Sequence, residues 1–284
     1  MAVKKKVVRK KQRSAPSGKG VLKKVHPVGD THTNQVLLVY GRSGTGKTQF
    51  MSTLPRPILF LDVNERGLDT IRGEKQIDVL SCQEWQDFED IFWALYEGRK
   101  YKSVVIDQIT NLQDLGMSEI RDRAKKGPGE LFTKKNWGEL SGLLKTAISN
   151  FRGLSEQYNI GFIAHERTFS GGDDEEDGAM EPSVGARVMP SVGSFIDGAV
   201  DVIGSTYIKE SFTGKGSKKE RSVDYCMRIG PHAFYSTKVR RPVEAGPLPD
   251  FVVDPTFTKI SNLIAGKMTP AKKTRKKIAK KRRS

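Results

Sequence analysis

Short apolar runs alternate along the chain with longer stretches in which apolar residues recur at helical spacing. The apolar runs cover residues 36–40, 57–63, 102–109, 160–166 and 198–208. The helical patterns cover residues 83–98, 110–126 and 136–159. Apolar strands separated by helices are typical of a parallel sheet that is covered on both faces. The pattern therefore predicts an α/β fold, with a mainly parallel sheet flanked by helices.

The alternation of strands and helices stops after residue 208. Residues 210–230 carry Gly-Lys-Gly between two segments in which apolar and polar residues alternate. This pattern predicts a C-terminal β-hairpin region with a basic tip. The glycine-rich and acidic stretch 170–178 predicts a loop.

Positive charge is concentrated at the two ends of the chain. Lys and Arg number 49 against 33 Asp and Glu in 284 residues, and segments 1–24 and 267–284 each hold ten Lys or Arg and no acid. Neither segment can bury enough apolar surface to fold alone, so both are predicted to be disordered tails around one mildly acidic domain, 25–266. Basic residues that contact phosphates release counterions, which predicts nucleic-acid contact by the tails; a solubility role is the alternative.

The composition also excludes several classes of protein. Two cysteines are too few for a disulfide framework or a cysteine metal cluster, and they suit a reducing cytoplasm. No apolar run approaches the length that spans a bilayer, and no apolar segment follows the charged N-terminus as it does in a signal peptide. The sequence predicts a cytoplasmic protein with no membrane partner.

The strongest chemical signal is GRSGTGKT, residues 41–48, between a predicted buried strand and a helix. It fits the phosphate-binding pattern G-x-x-x-x-G-K-T, in which glycines allow backbone N–H groups to point at phosphate oxygens. Lys47 is predicted to reach the β and γ phosphates of ATP, and Thr48 to bind Mg²⁺. The predicted nucleotide-binding residues are Gly41, Arg42, Ser43, Gly44, Thr45, Gly46, Lys47, Thr48 and Gln49.

The apolar run 102–109 ends close to an acidic residue, Asp107. This is the Walker B pattern, in which the carboxylate helps to hold Mg²⁺. Thr48 and Asp107 are therefore the predicted metal ligands. The next residue is Gln108, which argues against the AAA+ arrangement in which an adjacent glutamate activates water.

The P-loop is followed in order by ILFLDVNERGLD, VVIDQITNL, GFIAHE and STKVR. This ordered set, over residues 36–262, resembles the RecA-like P-loop ATPases of phages, which include phage nucleotide-binding proteins and short single-strand annealing recombinases. The resemblance implies a RecA-like core that binds ATP and Mg²⁺ and assembles into a ring or filament. It also implies single-stranded DNA and phage recombination or replication proteins as partners.

The resemblance also implies roles for residues near the phosphates. The family places a catalytic carboxylate two residues beyond the Asp that ends the second strand. Here that Asp is Asp62, the expected position holds Asn64, and Glu65 lies one residue later. Either the turn has an extra residue and Glu65 is the base, or hydrolysis is weak. His165 matches a position that senses the γ phosphate; its alternative is a histidine that merely ends a strand.

Lys238 and Arg240 resemble a K-x-R pair that related ATPases extend into the active site of a neighbouring subunit. Such a cation would stabilise charge on the phosphoryl oxygens. Arg241 takes this role if the register differs by one residue, and a basic surface strand is the alternative.

In RecA-like cores, the loops after the third and fourth strands face DNA. The corresponding segments are 124–136 and 167–194. The first contains Lys125, Lys126, Lys134 and Lys135, with Phe132 and Trp137 nearby. Lysines interleaved with aromatic residues suit single strands, because rings stack on bases and lysines follow phosphates. The second segment is partly acidic, and a solvated loop is at least as good an interpretation of it.

Three functions fit these residues. The leading one is a phage protein that binds ATP, hydrolyses it and binds DNA in recombination or replication. The second is an ATP-binding loader or clamp that does not hydrolyse ATP, and the third is a basic nucleic-acid packaging protein. The displaced glutamate favours the second function, whereas the K-x-R pair favours the first.

Overall fold

A nine-stranded sheet is the centre of the computed structural model, which describes residues 25, 27, 34–127, 129–169, 182–213 and 220–267. Its strands are β1 (Val36–Gly41), β2 (Ile58–Asp62), β3 (Ile77–Ser81), β4 (Ser103–Asp107), β5 (Asn159–Ala164), β8 (Val202–Thr213), β9 (Glu220–Arg228), β10 (Lys238–Val239) and β11 (Phe251–Val253). Two further strands, β6 (Glu166–Phe169) and β7 (Ser183–Ala186), form a separate antiparallel pair. The predicted tails lie outside the described residues, except for Lys267, as do loop 170–178 and the hairpin tip.

The strands follow the spatial order β11-β9-β8-β1-β5-β4-β2-β3, and β10 pairs with β8. All contacts from β8 to β3 in this order are parallel, and β9, β10 and β11 add antiparallel pairings at one side. The register places Asp62 opposite Asp107 and Asp107 opposite Ile163. The carboxyl ends of β2, β4 and β5 therefore meet at one edge, and the predicted RecA-like α/β fold class is confirmed.

Helices cover both faces of this sheet. They are α1 (Lys47–Met51), α2 (Trp85–Glu97), α3 (Ile109–Arg123), α4 (Lys134–Gly153), α5 (Pro190–Ala199) and α6 (Phe257–Ile264), with 3-10 turns at Gly67–Ile71, Leu154–Glu156 and Val243–Ala245. Alternate residues of β1 point to opposite faces: Leu38 and Tyr40 join the core with α2 to α5, whereas Leu37 and Val39 join the core with α1 and α6. Because successive side chains of a strand point to opposite faces and both faces are covered, every position of a central strand is buried, which explains why these strands consist of continuous apolar residues. Among the described residues, every helix is too short or too polar to traverse a bilayer.

Several elements differ from the sequence prediction. Strand β3 was not predicted, because it is a short edge strand without a buried residue, in which only Ile77 and Leu80 are partly buried. The predicted loop 167–194 contains most of β6, all of β7 and the start of α5. Helix α4 begins at Lys134, after Thr133 accepts a hydrogen bond from the Asn136 backbone N–H, so two of the predicted loop lysines lie in its first turn.

The predicted hairpin is formed by β8 and β9. Strand β8 pairs with β1 only as far as Thr206 but continues alongside β9 to Thr213. Beyond the parallel core the two strands therefore form a ribbon of their own. Phe212 and Tyr225 are exposed on one face of it, and Tyr225 lies close to the P-loop.

Candidate active site

The P-loop connects the end of β1 to the start of α1. Gly44 and Gly46 have φ angles of 78° and 85°, which is the left-handed region that glycine adopts without strain. A Cβ atom at Gly41 would lie 2.3 Å from Thr206 Oγ1, so only glycine allows the loop to approach β8 this closely. The glycine spacing of the motif thus has a steric cause at both ends of the loop.

Lys47 is the first residue of α1 and is only 8% exposed. Its Nζ atom donates hydrogen bonds to the carbonyl oxygens of Gly41, at 3.0 Å, and Arg42, at 2.8 Å. Burial lowers the pKa of the Lys47 amine, while the negative charges of Asp107 and Glu65 act to raise it. The side chain folds over the loop, so its cation lies where phosphate oxygens are expected.

Thr48 and Asp107 meet across the gap between α1 and β4. Thr48 Oγ1 donates a hydrogen bond of 3.0 Å to Asp107 Oδ2, and Asp107 is 2% exposed. Burial raises the pKa of Asp107 to about 6; the hydrogen bond from Thr48 lowers it, and the charges of Glu65 and Asp62 raise it further. A hydroxyl beside a carboxylate is an all-oxygen donor set of the kind that Mg²⁺ prefers. The two predicted metal ligands therefore fit that ion.

The turn after β2 decides which residue faces the site. Asp62 Oδ1 accepts hydrogen bonds from the backbone N–H groups of Glu65, at 3.0 Å, and Arg66, at 3.3 Å. Asn64, with a φ of 55°, lies in the left-handed region and is exposed. Glu65 is half-buried and lines the same cavity as Lys47 and Asp107. The turn therefore places Glu65, and not Asn64, in the wall of this cavity, and the role of Glu65 as a base stays a prediction.

Gln108 joins Glu65 to His165. Its Nε2 atom lies 2.5 Å from Glu65 Oε2 and 2.8 Å from His165 Nε2. Asn111 Nδ2 lies 3.3 Å from the same Glu65 oxygen. Burial lowers the pKa of His165, the charge of Lys47 lowers it further, and the charge of Glu65 acts to raise it. Sequence reasoning did not assign a role to Gln108 or Asn111; the available signal was three polar residues among the four that follow a buried strand.

A cavity of about 650 Å³ lies against the P-loop, Asp107 and Glu65, and its volume is within the usual range of ligand pockets. Of the predicted nucleotide-binding residues, Ser43 to Gln49 line it, together with Asp107 and Glu65. The cavity is also lined by residues that the sequence did not indicate, among them Thr53, Tyr225, Asp254, Pro255 and Thr256. The exposed ring of Tyr225 therefore lies in the wall of the same cavity as the P-loop.

Lys238 and Arg240 lie away from this cavity. Strand β10 pairs with Ile203 and Val202, at the amino end of β8, whereas the P-loop lies beyond the carboxyl end of β1. Lys238 Nζ donates to the Asp197 carbonyl at 2.5 Å, and Arg240 donates to the Gly198 carbonyl at 2.6 Å. Both cations thus satisfy carbonyl groups at the end of α5. Arg241 bonds the carbonyls of Ala245 and Gly246.

The predicted DNA-contacting lysines lie at the turn between α3 and α4. Lys125, Lys134 and Lys135 are exposed, while Lys126 donates to the Leu131 carbonyl at 3.0 Å. Lys126 and Lys135 each lie 3.8 Å from a glutamate, Glu130 and Glu139 respectively. Near them, the rings of Phe132 and Trp137 meet edge to face at 5.2 Å, and Trp137 is 40% exposed. Lysines and aromatic rings therefore share one end of the helix pair.

Comparison with known proteins gives a family for this arrangement. A search of the curated proteins finds no match. Among solved structures, the flagellar accessory protein FlaH from Methanocaldococcus jannaschii is 11% identical, and the alignment covers 77% of this chain and 84% of that one with a TM-score of 0.36. Residues 33–240, well over half of the chain, match the family described as AAA domain. The chain therefore belongs to the AAA domain family of P-loop ATPases.

Proposed function

We propose that this protein binds ATP with Mg²⁺ and hydrolyses the nucleotide. The observation that supports this most directly is the 3.0 Å hydrogen bond between Thr48 and Asp107 in a cavity that Glu65 also lines. A hydroxyl, two carboxylates and a lysine cation at one P-loop form the set of groups that phosphoryl transfer needs. Mg²⁺, when bound by Thr48 and Asp107, supplies stabilisation of negative charge on the phosphate oxygens.

Each side chain has a separate task in this proposal. Lys47 provides positive charge for the phosphates, and the P-loop N–H groups orient them. Glu65 accepts a proton from the attacking water, and its position in the cavity wall makes a water in the cavity accessible to it. The alternative of a loader that does not hydrolyse ATP rested on the displaced glutamate. The turn at Asp62 brings Glu65 back to the site, which favours hydrolysis.

We further propose that the protein binds single-stranded DNA as a phage recombination or replication protein in the cytoplasm of a bacterial host. The support is the ordered set of RecA-like motifs, the two basic ends of the sequence, and the exposed lysines beside Trp137. A homo-oligomer, ring or filament, fits this proposal. For Lys238 or Arg240 to serve a neighbour's nucleotide, the side chain must leave the carbonyl groups at the end of α5.

ATP turnover, measured with and without single-stranded DNA, tests both parts. We expect Mg²⁺-dependent turnover that DNA stimulates. In one test variant, Ala replaces Lys125, Lys126, Lys134 and Lys135. The slope of the logarithm of DNA affinity against the logarithm of salt concentration should become less steep by about 3, since each lost phosphate contact reduces that slope by about 0.7. Bound ATP without turnover would favour the loader, and DNA binding that is indifferent to ATP would favour the packaging protein.

A further inference from the structure

The amide of Gln108 is buried between two groups of the candidate active site. The residue is 1% exposed and follows directly after β4. Its Nε2 atom contacts both Glu65 Oε2 and His165 Nε2, while Gln108 itself does not line the cavity. The side chain therefore reaches Glu65 from behind the cavity wall.

The contacts fix the orientation of this amide. An inverted amide would place its oxygen 2.5 Å from a carboxylate oxygen of Glu65, where two acceptors repel each other. The NH₂ group therefore faces Glu65 and donates one hydrogen to it and one to His165. His165 Nε2 must then be an acceptor, which places the ring proton on Nδ1.

The environment of the Gln108 amide oxygen indicates that this glutamine is not explained by packing in the core. Gln108 Oε1 is buried and has no hydrogen-bond partner among the described residues. A buried acceptor without a partner is unfavourable, and an apolar side chain of the same size would avoid that cost. The two donated hydrogen bonds are what a glutamine adds at this position.

Those hydrogen bonds hold only one of the two oxygens of Glu65. Oε2 accepts from Gln108 and, at 3.3 Å, from Asn111. Oε1 lies 3.8 Å from His165 Nε2, which is beyond hydrogen-bond distance. Fixing one oxygen from behind leaves the other available to a water in the cavity.

We propose that Gln108 is a positioning residue, which anchors Glu65 through Oε2 and presents Oε1 to the attacking water. This role rests on the proposed ATP hydrolysis. It also connects the site to the β6–β7 pair, because His165 precedes β6 and its carbonyl accepts a 2.7 Å hydrogen bond from the Arg187 N–H, just after β7.

A double-mutant cycle tests the role. Gln108→Met keeps the size of the side chain and removes both donors, so we expect kcat to fall by at least about tenfold, with KM and the affinity for a fluorescent ATP analogue unchanged. In a Glu65→Gln background the same change should cause no further loss, because the residue it positions is already inactive. Gln86→Met is the matched control, since Gln86 is an exposed glutamine on α2.

The outcomes separate this role from the proposed function. If Gln108→Met does not fold, Gln108→Leu also removes both donors without adding a charge beside Glu65, and it enters the same cycle. A kcat within about twofold of wild type in the folded variant, or losses that multiply in the double variant, would overturn the positioning role alone. A wild-type protein without turnover, or an unaffected Glu65→Gln variant, would overturn the assignment of Glu65 and this role with it.

Discussion

The two edges of the parallel sheet use charged side chains in opposite ways. At the carboxyl edge, Thr48, Asp107 and Glu65 line one cavity and are held by contacts between separate elements. At the amino edge, Lys238 and Arg240 donate their hydrogens to carbonyl groups at the end of α5. A cation at the end of a helix stabilises that helix, whereas buried carboxylates that face a cavity do not stabilise the fold. Changes at the first edge should therefore alter activity, and changes at the second should alter stability.

The largest expected effect is that of Asp107→Asn. The substitution removes the anionic metal ligand, so kcat for ATP should fall by about a thousandfold while the protein stays folded. Steady-state turnover across a Mg²⁺ titration measures this. Turnover equal to wild type would mean that another acid holds the metal. Asp107 would then not be the residue that distinguishes the carboxyl edge from the amino edge.

The next effect is that of Lys47→Ala on nucleotide affinity. Loss of a charge-assisted contact to phosphate should weaken binding of a fluorescent ATP analogue by about a hundredfold. The unfolding temperature should change little, because the hydrogen bonds of Nζ within the described part of the chain go to two carbonyls of its own loop. Lys102→Ala, at an exposed lysine, is the control. Unchanged affinity in a folded variant would refute the P-loop assignment.

A third effect sharpens the comparison through pH. Because burial raises the pKa of Asp107 to about 6, the folded protein binds a proton between about pH 6 and pH 4 that the unfolded chain does not. In buffer without Mg²⁺, this residue should therefore add roughly 2 to 3 kcal/mol to the free energy of unfolding as the pH falls from 7 to 4. Urea unfolding of wild type and Asp107→Asn across this range measures the difference. Parallel pH profiles would show that Asp107 is not destabilised by burial.

The smallest effect lies at the amino edge. Lys238→Met removes the hydrogen bond to the Asp197 carbonyl, so the free energy of unfolding should fall by about 1 kcal/mol. Lys75→Met, at an exposed lysine, is the control. A large loss of turnover with an unchanged free energy of unfolding would contradict the comparison. It would show that the lysine leaves α5 and acts in the nucleotide site of a neighbouring copy.

The sequence alone predicted the part of the site that depends on local geometry. The glycines of the P-loop, Lys47 and Asp107 could be found because the motif encodes a turn between a strand and a helix. The sequence offered Glu65 only as one of two alternatives, because its position depends on Asp62 accepting two backbone N–H groups and on the left-handed conformation of Asn64.

Contacts that depend on the register between distant strands were out of reach of the sequence. Gln108 meets His165 because β4 and β5 pair in parallel, with Asp107 opposite Ile163. The use of Lys238 at the end of α5 likewise follows from the pairing of β10 with β8. Helix α5 was missed because its sequence, which begins with Pro190 and contains two glycines, has weak helix propensity.

The central position of β1 in the sheet determines how early during synthesis in the cell the site can assemble. Gln35, just before β1, bonds Asn159 across 124 positions, and Val36, the first residue of β1, bonds Asp201 across 165. At ordinary rates of translation, roughly 10 to 30 s separate the synthesis of β1 from that of β8. Until then an apolar strand that is fully buried in the finished protein lacks at least one of its two neighbours, β5 and β8. The P-loop that follows it can therefore take its final form only late in synthesis.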